Sequence, residues 1–213
     1  MQRFCFIFAG LWLVLGTAAL GAEPAFAVER TPPRIVRRTY DPQNPPAEMS
    51  RKLTLPEAGL CEFEFGCEIQ TGTATPRYGL GTVQATVTSI RLIPRLDLTI
   101  WTVTQANAKL RAHEEGHREL CELYYQRVDA VALRLARAAI GTKLTIDLRR
   151  REASTQEALD QFQNKLLEEF LRETARRCTI AQARYDLITA HGVNPIPEAE
   201  AITQAVADER SAP

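Results

Sequence analysis

Within the stretch LRAHEEGHRELCEL (110–123), His113, Glu114 and His117 fall in the pattern H-E-E-G-H. On a helix, residues four apart stand one turn above each other, so both imidazoles can aim a ring nitrogen at one cation. Zinc takes such nitrogens at about 2.0–2.1 Å, and a catalytic zinc commonly has three protein ligands with the next position left for water. Glu114, next to the first histidine, is placed to take that water's proton as general base. The spacing thus predicts hydrolysis at a zinc site, with the same carboxylate passing the proton to a leaving amine. The alternative is a charged helix in which two histidines happen to fall four apart. Against it, both share a stripe with Leu110, Leu120, Cys121, Tyr124, Val128, Val131 and Leu135, and that stripe turns inward. Glu115, Glu119 and Glu122 fall around the rest of the helix and are expected in solvent.

A third ligand must come from elsewhere. The metzincin pattern needs a glycine and a histidine three and six residues after the second histidine, where this chain has Leu120 and Leu123, so that class is excluded. A glutamate on a following helix is one option, with Glu168, Glu169 and Glu173 as candidates. The remaining histidine, His191 in RYDLITAHG, is another. Asp186 in the same stretch can ligate directly or accept the free N–H of a ligating histidine. The plainer reading of His191 is a cation at a helix C-terminus, where the dipole favours it.

The elements that must position these groups are readable in outline. From Gln105 to Ile140 only Gly116 interrupts a run of helix formers, and Gly141 ends it. A second long helix is predicted from Ser154 to Ala190, opened by a Ser154/Glu157 capping box and closed at Gly192. Thirteen helical residues span about 20 Å, so a break after Cys178, around Thr179, is needed for His191 to reach the histidine pair. The first half holds strand signals: RIVRRTY (34–40), GTVQATVTSIRLI and LDLTIWTVT, the last two divided by Pro94-Arg95, and later LTIDL. The expected fold is α+β, a small antiparallel sheet packed on a long active-site helix with a second long C-terminal helix. Residues 28–56 read as an extended, proline-rich entry segment, 57–192 as one domain, and 193–213 as a mobile tail.

Arg3, an apolar run from Phe4 to Leu20 and the small residues beyond it have the layout of a secretory signal peptide within 1–27, cleaved after Ala22 or Ala27. An uncleaved anchor is the alternative. No later apolar run is long enough to span a bilayer. The expectation is an exported protein, periplasmic or secreted, with no stable membrane span after cleavage. Lys+Arg and Asp+Glu are 26 each, which excludes the basic footprint of a nucleic-acid binder and a polybasic membrane patch. Charge thus points to no partner, and the H-E-x-x-H site makes a peptide or envelope-protein substrate the expected one. Oxidising conditions favour two disulfides among the four cysteines beyond Cys5, most economically Cys61–Cys67 and Cys121–Cys178, although three pairings are open. Cys121 as a metal ligand is the competing reading.

LRAHEEGHRELCELYY followed downstream by RYDLITAHG resembles the bacterial family of predicted secreted zinc-dependent proteases, catalogued as a domain of unknown function. The later element is matched by Tyr185, Asp186, Thr189, His191 and Gly192. The resemblance covers mainly Trp101 to Gly192 and is vague over the strand-rich half. It implies a zincin-like fold and raises His191 and Asp186 above the glutamates. The ligands would be His113, His117 and His191, with Glu114 as base and Asp186 as a supporting or alternative ligand. Tyr185 is a candidate oxyanion donor, with packing as its other role. Two rival functions stay open: a non-catalytic envelope protein with a structural or vestigial zinc site, and a hydrolase cleaving a non-peptide bond such as a wall amide.

Overall fold

The computed structural model describes residues 25–49, 58–76 and 81–211. The expected signal segment up to residue 24 lies outside the described residues, as does 50–57 of the entry segment. The chain is mixed α+β. Its strands are β1 (Phe26–Val28), β2 (Arg34–Tyr40), β3 (Gly59–Ala74), β4 (Thr82–Val103) and β5 (Lys143–Asp147). Its α-helices are α1 (Ala108–Tyr125), α2 (Val128–Ala139), α3 (Arg151–Glu173), α4 (Ala175–Thr189) and α5 (Glu198–Ser211). Where the sequence predicts one domain over 57–192, the chain groups into two compact units.

Among the described residues, the first unit comprises 25–30, 66–76, 81–94 and 129–170. In it β1 runs parallel to β4 at Ile90–Leu92, and β5 pairs antiparallel with Thr82–Thr86. Ala85, Val87, Leu144, Ile146 and Leu159 form its buried cluster, with Phe162 packed against it. Ser154 does not cap a helix: α3 starts at Arg151, and the Ser154 hydroxyl accepts the Asp147 N–H at 2.8 Å.

Among the described residues, the second unit comprises 31–49, 58–65, 95–128 and 171–211. Here β2 pairs parallel with β4, from Arg34 opposite Asp97 to Tyr40 opposite Val103. The expected antiparallel sheet is thus corrected to a mixed one. Parallel neighbours need a long connection, and residues 41–81 supply it. Pro94 does not divide β4, which runs without a break from Thr82 to Val103, with β3 paired to it as well.

Both long helices of the sequence reading are broken. Gln126, whose N–H donates to the Glu122 carbonyl at 2.9 Å, ends α1 two residues before α2 begins. The second break falls at Thr174, four residues before Cys178 rather than after it. The tail is also corrected. It forms α5, which packs against α4 and α1 and buries Ala201, Ala205 and Val206. Two carboxylates pin it. Glu198 receives Lys109 Nζ at 2.6 Å and the Tyr185 hydroxyl, and Glu209 receives Tyr124 at 2.9 Å and Arg177 Nε at 2.6 Å.

Burial opposes charge on Glu198 and Glu209, but these donors outweigh it and hold both below the usual glutamate range. A carboxylate lowered in the folded state stabilises it above the unfolded value, and that contribution is lost as pH falls through the folded value. Hydrogen-exchange protection over α5 is therefore expected to stay level from neutral pH down to about 5 and to fall below about 4.3, ahead of the rest of the unit. Protection of α5 that persists undiminished at pH 3 contradicts this anchoring.

Candidate metal centre

Asn107 caps α1, its side-chain oxygen accepting the Leu110 N–H at 2.8 Å. One turn later the inward stripe begins, and His113, Glu114 and His117 are 2%, 3% and 8% exposed. Across from them α4 presents Cys178, Gln182 and Asp186 at successive turns, all three on the side that meets α1. The ring nitrogens converge as the H-E-x-x-H spacing requires, with His113 Nε2 and His117 Nε2 3.2 Å apart. Asp186 Oδ1 completes a triangle, 3.3 Å from His113 Nε2 and 2.9 Å from His117 Nε2. Among the described residues this trio is the group able to hold a metal ion.

The fit to zinc can be tested on those edges. A tetrahedral ion with bonds of about 2.0–2.1 Å has ligand atoms about 3.3 Å apart. The observed edges of 2.9, 3.2 and 3.3 Å match one face of such a tetrahedron. The donor set, two imidazoles and one carboxylate, also suits zinc.

Neighbouring groups orient each ligand. His117 Nδ1 is hydrogen-bonded to Gln182 Oε1, which leaves Nε2 facing Asp186. The Gln182 amide N–H in turn donates to the His117 carbonyl at 2.8 Å. Burial opposes charge on His117, yet the Asp186 carboxylate outweighs it and holds the imidazole pKa at about 9. Burial likewise opposes charge on Asp186, which the two imidazoles keep well below the usual carboxylate range. For His113 burial wins, and its pKa is lowered. Tyr185 stacks on the His113 ring, with centroids 5.0 Å apart and planes 8° from parallel.

Of the two roles the sequence offers Tyr185, oxyanion donor and packing residue, its surroundings suit packing. It is fully buried, and its one hydroxyl proton serves the His113 carbonyl, 3.2 Å away, and the Glu198 carboxylate. Gly116 makes room for it, since a Cβ there would overlap the Tyr185 hydroxyl. Glycine to alanine in a helix normally stabilises by about 0.5–1 kcal/mol. At Gly116 the sign should invert: overpacking of a fixed buried ring predicts a loss of about 1–3 kcal/mol in urea unfolding of Gly116→Ala. A variant as stable as wild type, or more so, contradicts the packing described.

His191 stands at the rim, 59% exposed on its side chain, with Nδ1 3.5 Å from Asp186 Oδ1. It is not in the metal-capable trio. Its backbone is left-handed, as are Ala190 and Gly192, at about 1–2 kcal/mol for each non-glycine residue. This turn brings Gly192 against the His113 side chain and sets His191 beside the carboxylate. The helix glutamates are engaged elsewhere: Glu169 pairs with Arg134 and Glu173 with Arg172, and Glu168 is outside the trio.

A cleft opens over the trio, walled by Ala58 to Cys61 and Phe63 on one side and by α1, α4 and His191 on the other. Glu114 lines it, its carboxylate filling the space a side chain at Gly59 would need. Gly59 and Gln182 are site residues that the sequence reading missed. Gln182 carried a usable signal, lying four residues from both Cys178 and Asp186 on one helix face. Gly59 carried none.

All four described cysteines are thiols. Cys61 and Cys67 lie in one continuous strand. Six extended steps separate them by about 20 Å, whereas a disulfide needs Cα atoms about 4.4–6.8 Å apart, so that pairing is excluded. Burial pushes the Cys67 thiol up to about 12. Cys121 and Cys178 do stand side by side, with sulfurs 3.7 Å apart and unbonded. Cys121 is not in the metal-capable trio. No helix among the described residues is long and apolar enough to cross a membrane.

Compared with protein-family models, curated proteins and solved structures, the chain matches none.

Proposed function

We propose that this protein is an exported zinc-dependent metallopeptidase with a zincin-like arrangement of its active-site helix. The observation that carries the reading is the triangle of His113, His117 and Asp186 at zinc-ligand spacing, with Glu114 in the same open cleft. A structural zinc is closed off by four protein ligands, and a three-ligand face opening on a cleft favours catalysis instead.

His113, His117 and Asp186 hold the ion, with Asp186 taking the place the sequence reading gave first to His191. Zinc, when bound, supplies a Lewis acid that polarises the scissile carbonyl and acidifies water. Glu114 accepts the water proton and hands it to the leaving amine. Its burial beside Gly59 keeps the carboxylate aimed into the cleft. Gln182 fixes the His117 tautomer, and Tyr185 fixes the plane of the His113 ring. His191 shields the outer side of Asp186 and faces substrate at the rim.

The apolar leader supports export. Of the two cleavage points, the one after Ala22 leaves β1 whole, whereas the one after Ala27 removes two of its three residues. The test is incubation of the zinc-loaded protein with peptide pools and envelope proteins. Cleavage that stops on chelation and returns with zinc supports the reading, and a fully loaded protein that cleaves none of them contradicts it.

A further inference from the structure

The two imidazoles of the trio are held in different ways. His117 Nδ1 is hydrogen-bonded to Gln182, whereas no described residue bonds to the buried Nδ1 of His113. A metal-binding histidine is ordinarily oriented through its second ring nitrogen. His113 is oriented by packing instead. Tyr185 lies flat against it, and the same ring meets His117 edge-on, with centroids 4.9 Å apart and planes at 83°. Gly192 closes in as well, since a Cβ there would come within 3.0 Å of His113 Cβ and Cγ.

What fixes the tyrosine lies on α5. The Tyr185 hydroxyl donates to Glu198 Oε2, at the end of the ring farthest from its own backbone. Glu198 is the first residue of α5, and it is fixed in turn. Its other oxygen takes Lys109 Nζ at 2.6 Å, and the same ammonium donates to the Ile196 carbonyl at 2.9 Å. A continuous chain of contacts therefore runs from Lys109 through Glu198 and Tyr185 to His113, one turn along α1 from where it began.

We propose that Glu198 is a positioning residue of the metal centre, holding the His113 ring toward the ion through the Tyr185 hydroxyl. The inference rests on the reading of His113, His117 and Asp186 as a metal site, and it holds whatever bond is cleaved there. A stacked ring constrains its neighbour only if it is itself held, and a tyrosine anchored at both its backbone and its hydroxyl cannot swing away. The carboxylate of Glu198 is the acceptor that supplies the second anchor. The C-terminal helix then belongs to the metal centre, although the walls of the cleft come from elsewhere.

The test is competition for zinc against a chromophoric chelator, with each variant checked for native circular dichroism. Glu198→Ala is expected to bind zinc about tenfold more weakly than wild type, the low end of what outer partners of metal ligands contribute. Tyr185→Phe is expected to lose a similar factor and reads the same link from its other end, even if Glu198→Ala does not fold. Adding Glu198→Ala to Tyr185→Phe is expected to cost no more than about twofold further, because both changes cut one link. Glu198→Gln keeps an oxygen that accepts the hydroxyl and is expected to stay within about threefold of wild type. Glu209→Ala releases the other anchor of α5, at Tyr124 and Arg177, and is expected to leave zinc affinity at the wild-type level. Wild-type affinity in Glu198→Ala or Tyr185→Phe overturns the assignment. So does a full second loss in the double variant, or a loss in Glu198→Gln or Glu209→Ala equal to that of Glu198→Ala. A wild-type protein that takes up no zinc overturns the metal site itself, which is a distinct result.

Discussion

Glu114→Gln is expected to lower peptide hydrolysis by about 10³-fold or more while zinc stays bound at one per chain. The magnitude follows from the proposed role, since a positioned general base contributes about 10²–10⁴-fold, and in the proposed mechanism the same carboxylate also delivers the proton to the amine. Glutamine keeps the volume, so the contact over Gly59 survives. Replacing a buried carboxylate by an amide also leaves no uncompensated charge in the fold. The affected quantity should be kcat, with KM little changed, because the proton moves in the transition state and not on binding. A variant retaining more than a tenth of wild-type kcat removes Glu114 from the chemistry. A variant that loses zinc shows instead that the carboxylate holds the site together.

The second large effect concerns the third ligand. Asp186→Ala is expected to weaken zinc binding by more than about 10³-fold, and His191→Ala by no more than about tenfold. Loss of an outer partner typically costs about 10–100-fold in metal affinity, and loss of a direct ligand should exceed it. Asp186 Oδ1 lies 2.9 and 3.3 Å from the two ring nitrogens that define the site. His191 reaches only that oxygen, at 3.5 Å, and is mostly in solvent. Competition titration with a chromophoric chelator measures both variants on one scale. The reverse order of losses makes His191 the ligand and Asp186 its support.

The H-E-x-x-H pattern and its inward stripe were legible because helical spacing alone puts His113 and His117 together, and apolar neighbours show which way they face. Asp186 and His191 were legible as a pair, but their ranking was not. It depends on where the second helix breaks and on the left-handed turn at Ala190 and His191. The break itself was hidden. Phe170, Thr174 and Cys178 are all buried at steps of four, so the periodicity runs unbroken across a helix end that packing imposes. Tyr124 and Val128 do the same across the end of α1.

The helix in the tail is hidden for a different reason. Pro195 and Pro197 punctuate the sequence as an unstructured end would, yet Pro197 precedes α5, and its carbonyl accepts the Ala201 N–H. Proline at a helix start loses no hydrogen bond, and Glu198 and Glu200 in the first turn suit the helix dipole. In the strand half, weak alternation along Val83 to Leu92 concealed the register, because both faces of β4 carry buried residues. The parallel pairing of β2 joins segments with no local sequence signal.

If His113, His117 and Asp186 hold zinc in the cleft that Glu114 lines, zinc X-ray absorption on the loaded protein will read those ligands. The predicted spectrum has a nitrogen and oxygen shell at about 2.0–2.1 Å with the multiple-scattering signature of two imidazoles, and it loses coordination in Asp186→Ala. A sulfur shell at about 2.3 Å, or two-imidazole scattering that survives unchanged in His117→Ala, would contradict that ligand set.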